Sequence, residues 1–217
     1  MRYPFPMRFA LALLLALPAS AQPLDDVPLA DILEVLLIDR ELVAIDAQGG
    51  GQTTLSLRLA EQVAWHAARG AIGVALTDQR ILAVAVGSAA WQSENRLRDE
   101  VLPERALLGD RVALLATSRR LFGFDGGSGN LVQSALGLRE NLLSQRVGEN
   151  VGVVVTDRRA LGLSPVAGGF FPIEINLDER LESVSASANV ATVTTSRRVL
   201  IFRSPSGTWE IRLRTLN

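Results

Sequence analysis

Short apolar runs separated by polar turns follow one another along most of this chain. VGVVVT (151–156) and ALGLS (160–164) lie on either side of one such turn, and FFPIEINL (170–177) and RLESVSAS (180–187) alternate apolar and polar positions. Short runs rich in β-branched residues, broken by two or three polar ones, predict tight β-hairpins. Residues 29–42 are the one stretch that is also compatible with a helix.

The hairpin pattern repeats along the chain at a nearly constant interval. A threonine before the polar turn recurs at Thr77, Thr117, Thr156 and Thr195. One more step of the same size back from Thr77 reaches Ile38, which precedes the turn Asp39-Arg40. The sequence therefore predicts five copies of one unit, each with about four short strands in roughly 40 residues.

Four strands in about 40 residues is the period of a propeller blade, and in this respect residues 22–217 resemble the β-propeller superfamily. The resemblance implies an all-β fold: a single five-bladed β-propeller domain with four short antiparallel strands per blade. The chain has no WD signature, no kelch double glycine with its partner tryptophan and no clear Asp-box. The resemblance therefore implies a fold and no particular activity.

A closed ring requires the two ends of the chain to meet. The last copy has predicted strands near 191–195, 199–203 and 208–213, so its fourth strand is expected from elsewhere. By alignment, the N-terminal segment 22–33 occupies that place and is predicted to close the last blade. Closure of this kind removes exposed strand edges.

Residues 1–21 have the composition of a secretory signal peptide. Arg2 and Arg8 accompany the apolar run 9–17, which is too short to span a bilayer, and 19–21 (ASA) is a small-residue cleavage site. The alternative is an uncleaved anchor. The sequence thus predicts a signal peptide at 1–21, a propeller domain at 22–217, and a periplasmic or secreted bacterial protein.

The remaining composition excludes several kinds of chemistry. The chain has no cysteine, a single histidine (His66) and a net charge of −1. All its basic residues are arginine, so a lysine Schiff base and the common zinc sites are excluded, and no cofactor or metal is expected. A net charge close to zero does not indicate the basic surface that nucleic-acid binding requires. The partners that remain are an envelope protein or an anionic or glycan ligand.

Two charged positions recur with the repeat. An arginine follows the turn at Arg80, Arg120, Arg159 and Arg198, and a glutamate lies upstream at Glu61, Glu100, Glu140 and Glu179. The first copy has Glu41 in place of the arginine and lacks the upstream glutamate. We interpret these residues as structural ion pairs, one in each repeat. The alternative is a ring of arginines that binds an anion in a channel.

A second arginine lies on the turn itself in four copies, at Arg40, Arg119, Arg158 and Arg197. In a ring of blades, these tip arginines crown one face, where they are candidates to bind acidic glycans, phosphate groups or anionic lipid. The alternative is a set of solvated turn residues, because polar side chains are what any hairpin turn needs.

Carboxylates that depart from the repeat are the candidates for catalysis. Asp46 and Asp125 share one register, and Glu94, Glu174 and Glu210 lie near the third strands. Paired acids in a central pocket would suit a carbohydrate-active hydrolase or lyase. Nothing in the sequence shows which acids converge, so the catalytic residues stay unknown. We therefore interpret the chain as a non-catalytic binding or scaffold module, with the hydrolase as the alternative.

A series of large apolar residues, three of them aromatic, also follows the repeat. Trp91, Leu131, Phe170 and Trp209 each lie at the same distance along the chain from the preceding threonine of the series. Aromatic positions that recur once per blade indicate packing between blades. Trp65 stands outside this register beside His66, where the pair is either a ligand shelf or ordinary packing.

Overall fold

The computed structural model describes residues 32–214, in which β-strands and turns account for all regular structure. The first sheet contains β1 (Leu33–Ile38), β2 (Glu41–Asp46) and β3 (Gln52–Ser56). The second contains β4 (Val63–Arg69), β5 (Ile72–Thr77), β6 (Arg80–Ala85) and β7 (Gln92–Asn95). The third contains β8 (Leu107–Leu108), β9 (Val112–Ala116), β10 (Arg120–Asp125) and β11 (Leu131–Ala135).

The last two sheets follow the same plan. The fourth contains β12 (Leu142–Val147), β13 (Gly152–Thr156), β14 (Arg159–Ser164) and β15 (Gly169–Glu174). The fifth contains β16 (Leu181–Ser187), β17 (Val190–Thr195), β18 (Arg198–Arg203) and β19 (Thr208–Leu213). Within each sheet the strands are antiparallel and lie in sequence order, which is the order of strands in a propeller blade. The prediction of an all-β fold with repeated short strands is confirmed.

The sheets are offset by one strand from the copies read in the sequence. The segment Leu181–Ser187 pairs with β17 through the tight turn that follows it, with Ser187 opposite Val190. The fifth sheet therefore has four strands of its own, and the prediction that its fourth strand is missing was wrong. Within the described residues, the sheet with three strands is the first. The segment 22–33 lies outside them except for its end, where Leu33 opens β1.

The hydrophobic core lies between consecutive sheets. Four buried clusters fill the junctions of sheets one and two, two and three, three and four, and four and five. Glycines on the central strands allow close packing: a Cβ on Gly123 would lie 2.4 Å from Leu163 of the next sheet, and one on Gly162 would lie 2.4 Å from Phe202. Large side chains of one sheet thus fill hollows in its neighbour.

Backbone hydrogen bonds join the turns between the first and second strands of neighbouring sheets. The N–H groups of Ala71, Arg111 and Asn150 donate to carbonyls of the following sheet at 2.9, 2.9 and 2.8 Å. Gly109 lies in this contact, where an added Cβ would meet the carbonyl oxygen of Gly148 at 2.0 Å. These turns fix the spacing of the sheets along one edge of the molecule.

The opposite edge carries two kinds of turn, and we call it the crossover edge. It contains the hairpin turns between β1 and β2, β5 and β6, β9 and β10, β13 and β14, and β17 and β18. It also contains the crossover turns that link one sheet to the next, at 57–62, 96–101, 136–141 and 175–180. The two kinds of turn touch, since Leu57 N–H donates to the carbonyl of Arg40 at 2.8 Å and Leu136 N–H donates to that of Arg119 at 2.9 Å.

Candidate functional site

The repeated arginine and glutamate meet at the junctions between sheets, beneath the crossover edge. At the first junction, Arg80 binds both oxygens of Glu61 with Nε and Nη2, at 2.7 and 2.9 Å. The hydroxyl of Thr77 donates to Glu61 at 2.7 Å and accepts the backbone N–H of Arg80 at 2.8 Å. The side chain of Glu61 has no exposed area and that of Arg80 is 8% exposed.

The same cluster recurs at the next three junctions. The shortest nitrogen–oxygen distances are 2.6 Å for Arg120–Glu100, 2.7 Å for Arg159–Glu140 and 3.0 Å for Arg198–Glu179. The hydroxyls of Thr117, Thr156 and Thr195 donate to these glutamates at 2.6, 2.8 and 2.8 Å. The threonine that reveals the repeat in the sequence is therefore the third member of a buried polar cluster.

Each arginine of the cluster also reaches the preceding sheet. Nη2 of Arg120 donates to the carbonyl of Asn95 at 2.9 Å, and Nη2 of Arg159 donates to that of Ala135 at 2.8 Å. In the first sheet, Glu41 replaces the arginine and accepts a hydrogen bond from Ser56 of its own sheet at 3.2 Å. Each of these guanidinium groups thus connects three elements: its own sheet, the crossover turn that leads into that sheet, and the last strand of the preceding sheet.

The clustered glutamates have lowered pKa values. Burial by itself raises the pKa of Glu140, but hydrogen bonds from Arg159, the Gly137 N–H and Thr156 outweigh it and hold the pKa below its usual value of 4.5. The pKa values of Glu61, Glu100 and Glu179 are lowered in the same way. The hydrogen bond to Glu100 raises the pKa of Arg120. Both partners are therefore charged at neutral pH, and their charges face each other instead of a ligand.

The tip arginines are exposed on the crossover edge, one on each of four hairpin turns. Three of them bind a crossover turn. Arg40 donates to the carbonyl of Arg58, Nη2 of Arg158 donates to that of Leu138 at 3.3 Å, and Arg197 pairs with Asp178. The structure spreads these arginines along the edge, which suits a broad surface better than a pocket for one small anion.

Each crossover turn points one residue inward and one outward. In the turn 58–61, the N–H of Glu61 bonds the carbonyl of Arg58 at 3.0 Å and the Glu61 carboxylate is buried, whereas Leu59 at the corner is 91% exposed. Leu138 and Leu177 occupy the same corner in two other turns and are 88% and 96% exposed. In the remaining turn, the corner residue is Arg98 and the neighbouring Leu97 is 47% exposed.

The leucines that precede the repeated glutamates are visible in the sequence, but their exposure was not predicted from it. A turn corner needs no leucine, since proline and polar residues are the usual occupants. Single exposed apolar side chains are common on protein surfaces. Three leucines with almost complete exposure at one repeat position form a pattern that turn geometry does not explain.

Asp157, the acid of the hairpin turn between β13 and β14, has a structural partner. Its carboxylate accepts the backbone N–H of Asn141 at 3.0 Å and the side-chain amide of the same residue at 2.8 Å. These two bonds lower the pKa of Asp157. Asp78 accepts the Gln62 N–H in the same way at 2.9 Å. Asp78 and Asp157 thus attach their hairpin turns to the crossover turns.

The carboxylates considered for catalysis are not brought together. Asp46 and Asp125 accept backbone N–H groups of their own turns at 2.7–3.0 Å, on the edge opposite the crossover edge. Glu210 pairs with Arg203 and Arg212. Glu94 lies 3.9 Å from Arg120, and Glu174 stands at the end of β15. Asp46, Asp125 and Glu210 are thus engaged in structural contacts, whereas glycoside hydrolysis requires a pair of available acids.

The large apolar residues of the same series contact the preceding sheet. Trp91 Nε1 donates to the carbonyl of Thr53 at 3.0 Å, and Trp209 Nε1 donates to that of Phe171 at 2.8 Å. Leu131 and Phe170 pack against the clusters at the intervening junctions. Trp65 packs against the core between sheets two and three, and the adjacent His66 on β4 is partly buried.

A cleft of about 530 Å³ opens on the edge opposite the crossover edge, between the third and fourth sheets. Arg111, Asp125 and Asn130 line it together with Asn150, whose amide donates to Asn189 at 2.9 Å. Among the described lining residues Asp125 is the one acid, and its carboxylate is occupied by turn N–H groups. The cleft therefore lacks a second carboxylate for acid–base chemistry.

Residues 32–214 hold neither a metal-binding cluster nor a membrane-spanning helix. That part of the chain contains no group of three or more histidines and carboxylates able to hold a metal ion. It also contains no helix that could cross a bilayer.

Comparison with known proteins gives matches only among solved structures. No protein-family model matches the chain, and no curated protein matches it. The chain is similar to Prp20p from Saccharomyces cerevisiae, in a structure described with its binding to Gsp1p and histones, at 11% identity and a TM-score of 0.42. That match covers 80% of this chain and 56% of the other, so this chain spans little more than half its length.

Two further matches are equally distant. The WD40 domain of SCAP from fission yeast matches at 11% identity and a TM-score of 0.34, over 87% of this chain and 57% of that one. The N-terminal domain of Nup159 matches at 10% identity and a TM-score of 0.36, over 84% and 58%. TM-scores below 0.5 assign neither a family nor a ligand.

Proposed function

We propose that this protein is a non-catalytic binding module whose binding surface is the crossover edge. One observation carries the proposal: three leucines at equivalent turn corners are about nine-tenths exposed, and a tip arginine binds each of their turns. Patterned apolar side chains held in water mark a contact surface. The catalytic alternative has no comparable observation to support it, since Asp46, Asp125 and Glu210 are held by their own turns or by arginines.

The charge of the crossover edge indicates the charge of its partner. Arginines occupy four hairpin turns (Arg40, Arg119, Arg158, Arg197) and all crossover turns (Arg58, Arg98, Arg139, Arg180). They outnumber the aspartates of the same turns, and the crossover glutamates are neutralised by their buried partners. An edge that is positive within a chain of net charge −1 favours an anionic partner.

The experiment compares two sets of arginine variants on a heparin column. The tip variant carries Arg40→Gln, Arg119→Gln, Arg158→Gln and Arg197→Gln; the control carries Arg69→Gln, Arg111→Gln and Arg203→Gln on the opposite edge. We expect the tip variant alone to elute at lower salt, since it loses the clustered charge. Equal elution of both variants would contradict the proposal.

Two further parts of the proposal concern the closure of the five sheets into a ring and the export of the protein. We propose that the five sheets close into a five-bladed propeller and that residues before β1 supply the strand that the first sheet lacks. We also propose that residues 1–21 direct export to the periplasm or medium of a bacterial cell and are removed there. Mass spectrometry of the exported protein tests the cut before Gln22.

A further inference from the structure

The leucine and the arginine of the crossover edge form one repeated unit. In the fourth sheet, Arg158 donates to the carbonyl of Leu138, so its guanidinium is held at the base of the turn whose corner is the exposed leucine. Arg197 is fixed beside Leu177 through Asp178. Arg40 is fixed beside Leu59 through the Arg58 carbonyl. Each unit therefore presents an apolar tip with a guanidinium group next to it, and at Leu177 that group is paired with Asp178.

The units are carried by one edge of the molecule. Hairpin turns and crossover turns alternate along it, and hydrogen bonds such as Leu57 N–H to the Arg40 carbonyl hold the two kinds together. The corner leucines lie on turns whose glutamate is anchored in the buried cluster. They are thus rigidly mounted and separated, one to a junction between sheets.

Separated apolar side chains suit a fluid lipid surface better than the fixed surface of a folded protein or a glycan. Protein interfaces concentrate their binding energy in contiguous, desolvated patches rich in tryptophan and tyrosine. The tryptophans of this fold, Trp65, Trp91 and Trp209, instead pack between sheets. Glycan sites usually depend on aromatic stacking and hydroxyl partners, so a leucine with 96% exposure gains nothing there.

Both the leucine and the arginine of each unit can contribute to binding at a lipid surface. Apolar side chains enter the boundary between headgroups and acyl chains, and arginines bind the anionic phosphates around them. Neither contribution requires shape complementarity beyond tips that reach one surface. Resting on the proposed binding role of the crossover edge, we infer that its partner is the surface of an anionic phospholipid bilayer, with Leu59, Leu138 and Leu177 inserted.

The test measures flotation of the full chain, as purified from cells, with lipid vesicles. We expect binding to vesicles of phosphatidylglycerol and phosphatidylethanolamine in equal parts, and none to pure phosphatidylcholine. The triple variant Leu59→Ser, Leu138→Ser, Leu177→Ser should bind about tenfold more weakly. Val166→Ser is the matched control, because Val166 is 71% exposed on the opposite edge. All variants are exported and purified in the same way, so any contribution of residues 1–21 cancels.

Insertion has its own readout. The chain has no cysteine, so Leu138→Cys and Val166→Cys each give a single attachment site for an environment-sensitive fluorophore. We expect the label at position 138, and not at position 166, to brighten on anionic vesicles. Unchanged binding of the triple-leucine variant, or a bound protein with no response at position 138, overturns the inference.

The outcomes separate this inference from the proposal beneath it. Retention on heparin that depends on the tip arginines, without binding to anionic vesicles, overturns the lipid partner and leaves the binding edge standing. A protein that shows neither this heparin retention nor binding to anionic vesicles overturns both the binding edge and the lipid partner. Binding to vesicles with equal effects of the leucine triple and Val166→Ser also overturns the inference, since the crossover edge would then not be the contact.

Discussion

A buried carboxylate is tolerable only when its charge and lone pairs are all satisfied, and the glutamates of the crossover turns meet this condition. Glu140 accepts hydrogen bonds from Arg159, from Thr156 and from the N–H of Gly137 at 2.6 Å. The loss of one partner leaves the others buried without a counterpart. The four clusters are therefore positions where small changes should have large effects on stability.

Removal of one carboxylate charge should show this directly. We expect Glu140→Gln to lower the free energy of unfolding by about 2 kcal/mol, because it leaves Arg159 without its counter-charge. The effect should be smaller in an Arg159→Met background, as a double-mutant cycle by urea denaturation would show. Glu210→Gln is the control, since its pair with Arg203 lies at the surface and should contribute little. Equal losses for Glu140→Gln and Glu210→Gln would contradict this role.

The lowered pKa values predict a specific response to acid. A carboxyl group with a depressed pKa in the folded state contributes stability above its unfolded pKa, near 4.5, and loses that contribution as pH falls through the folded value. We therefore expect the melting temperature to fall steadily below about pH 4.5. Glu61→Gln should weaken this acid dependence and leave a variant that is less stable at pH 7. An acid response that is unchanged in Glu61→Gln would exclude this cluster as its source.

At the scale of elements, the turns between first and second strands determine how closely the sheets approach. Gly70, Gly109 and Gly148 recur in these turns at the interval of the repeat. Added Cβ atoms there would lie 2.0–2.9 Å from backbone atoms of the next sheet. Backbone cannot move aside as a flexible side chain can, so these positions exclude larger residues.

A methyl group at this contact should separate two sheets. We expect Gly109→Ala to destabilise the fold by about 2 kcal/mol or more through this overlap. Gly169→Ala is the control, since nothing lies within 4 Å of its added Cβ and its φ is not positive. Thermal melts of the two variants make the comparison. A Gly109→Ala protein as stable as the control would show that the turns can separate freely.

For the whole molecule, the sequence predicted the strands better than their grouping. The repeat was visible because Thr, Glu and Arg recur wherever the same buried cluster is built. The placement of Leu181–Ser187 failed because alternation reveals a strand and not the neighbour with which it pairs. The exposure of the corner leucines was not predicted, because exposure depends on how each turn is placed on the fold. The tip arginines were found because charge on a turn is visible in the sequence itself.

One junction differs from the others, and it decides whether the molecule is a ring. Buried Arg–Glu–Thr clusters occupy the four described junctions, whereas the first sheet has Glu41 at the arginine position and ends at β1 with three strands. Residues 24–30 lie one repeat before β4 (Val63–Arg69), and we propose that they supply the strand beside β1. Closure there would depend on strand pairing and apolar packing alone, so it should be the weakest junction.

Truncation tests this closure. We expect removal of residues 22–31 from the exported chain to lower the melting temperature by about 10 °C or more, since β1 would lose its edge partner. Removal of the C-terminal residues 215–217, which follow β19, is the matched control and should change little. Restoration of the original melting temperature by a synthetic peptide of residues 22–31 would link the loss to that strand. A truncated protein that melts like the full one would show that the five sheets need no N-terminal strand.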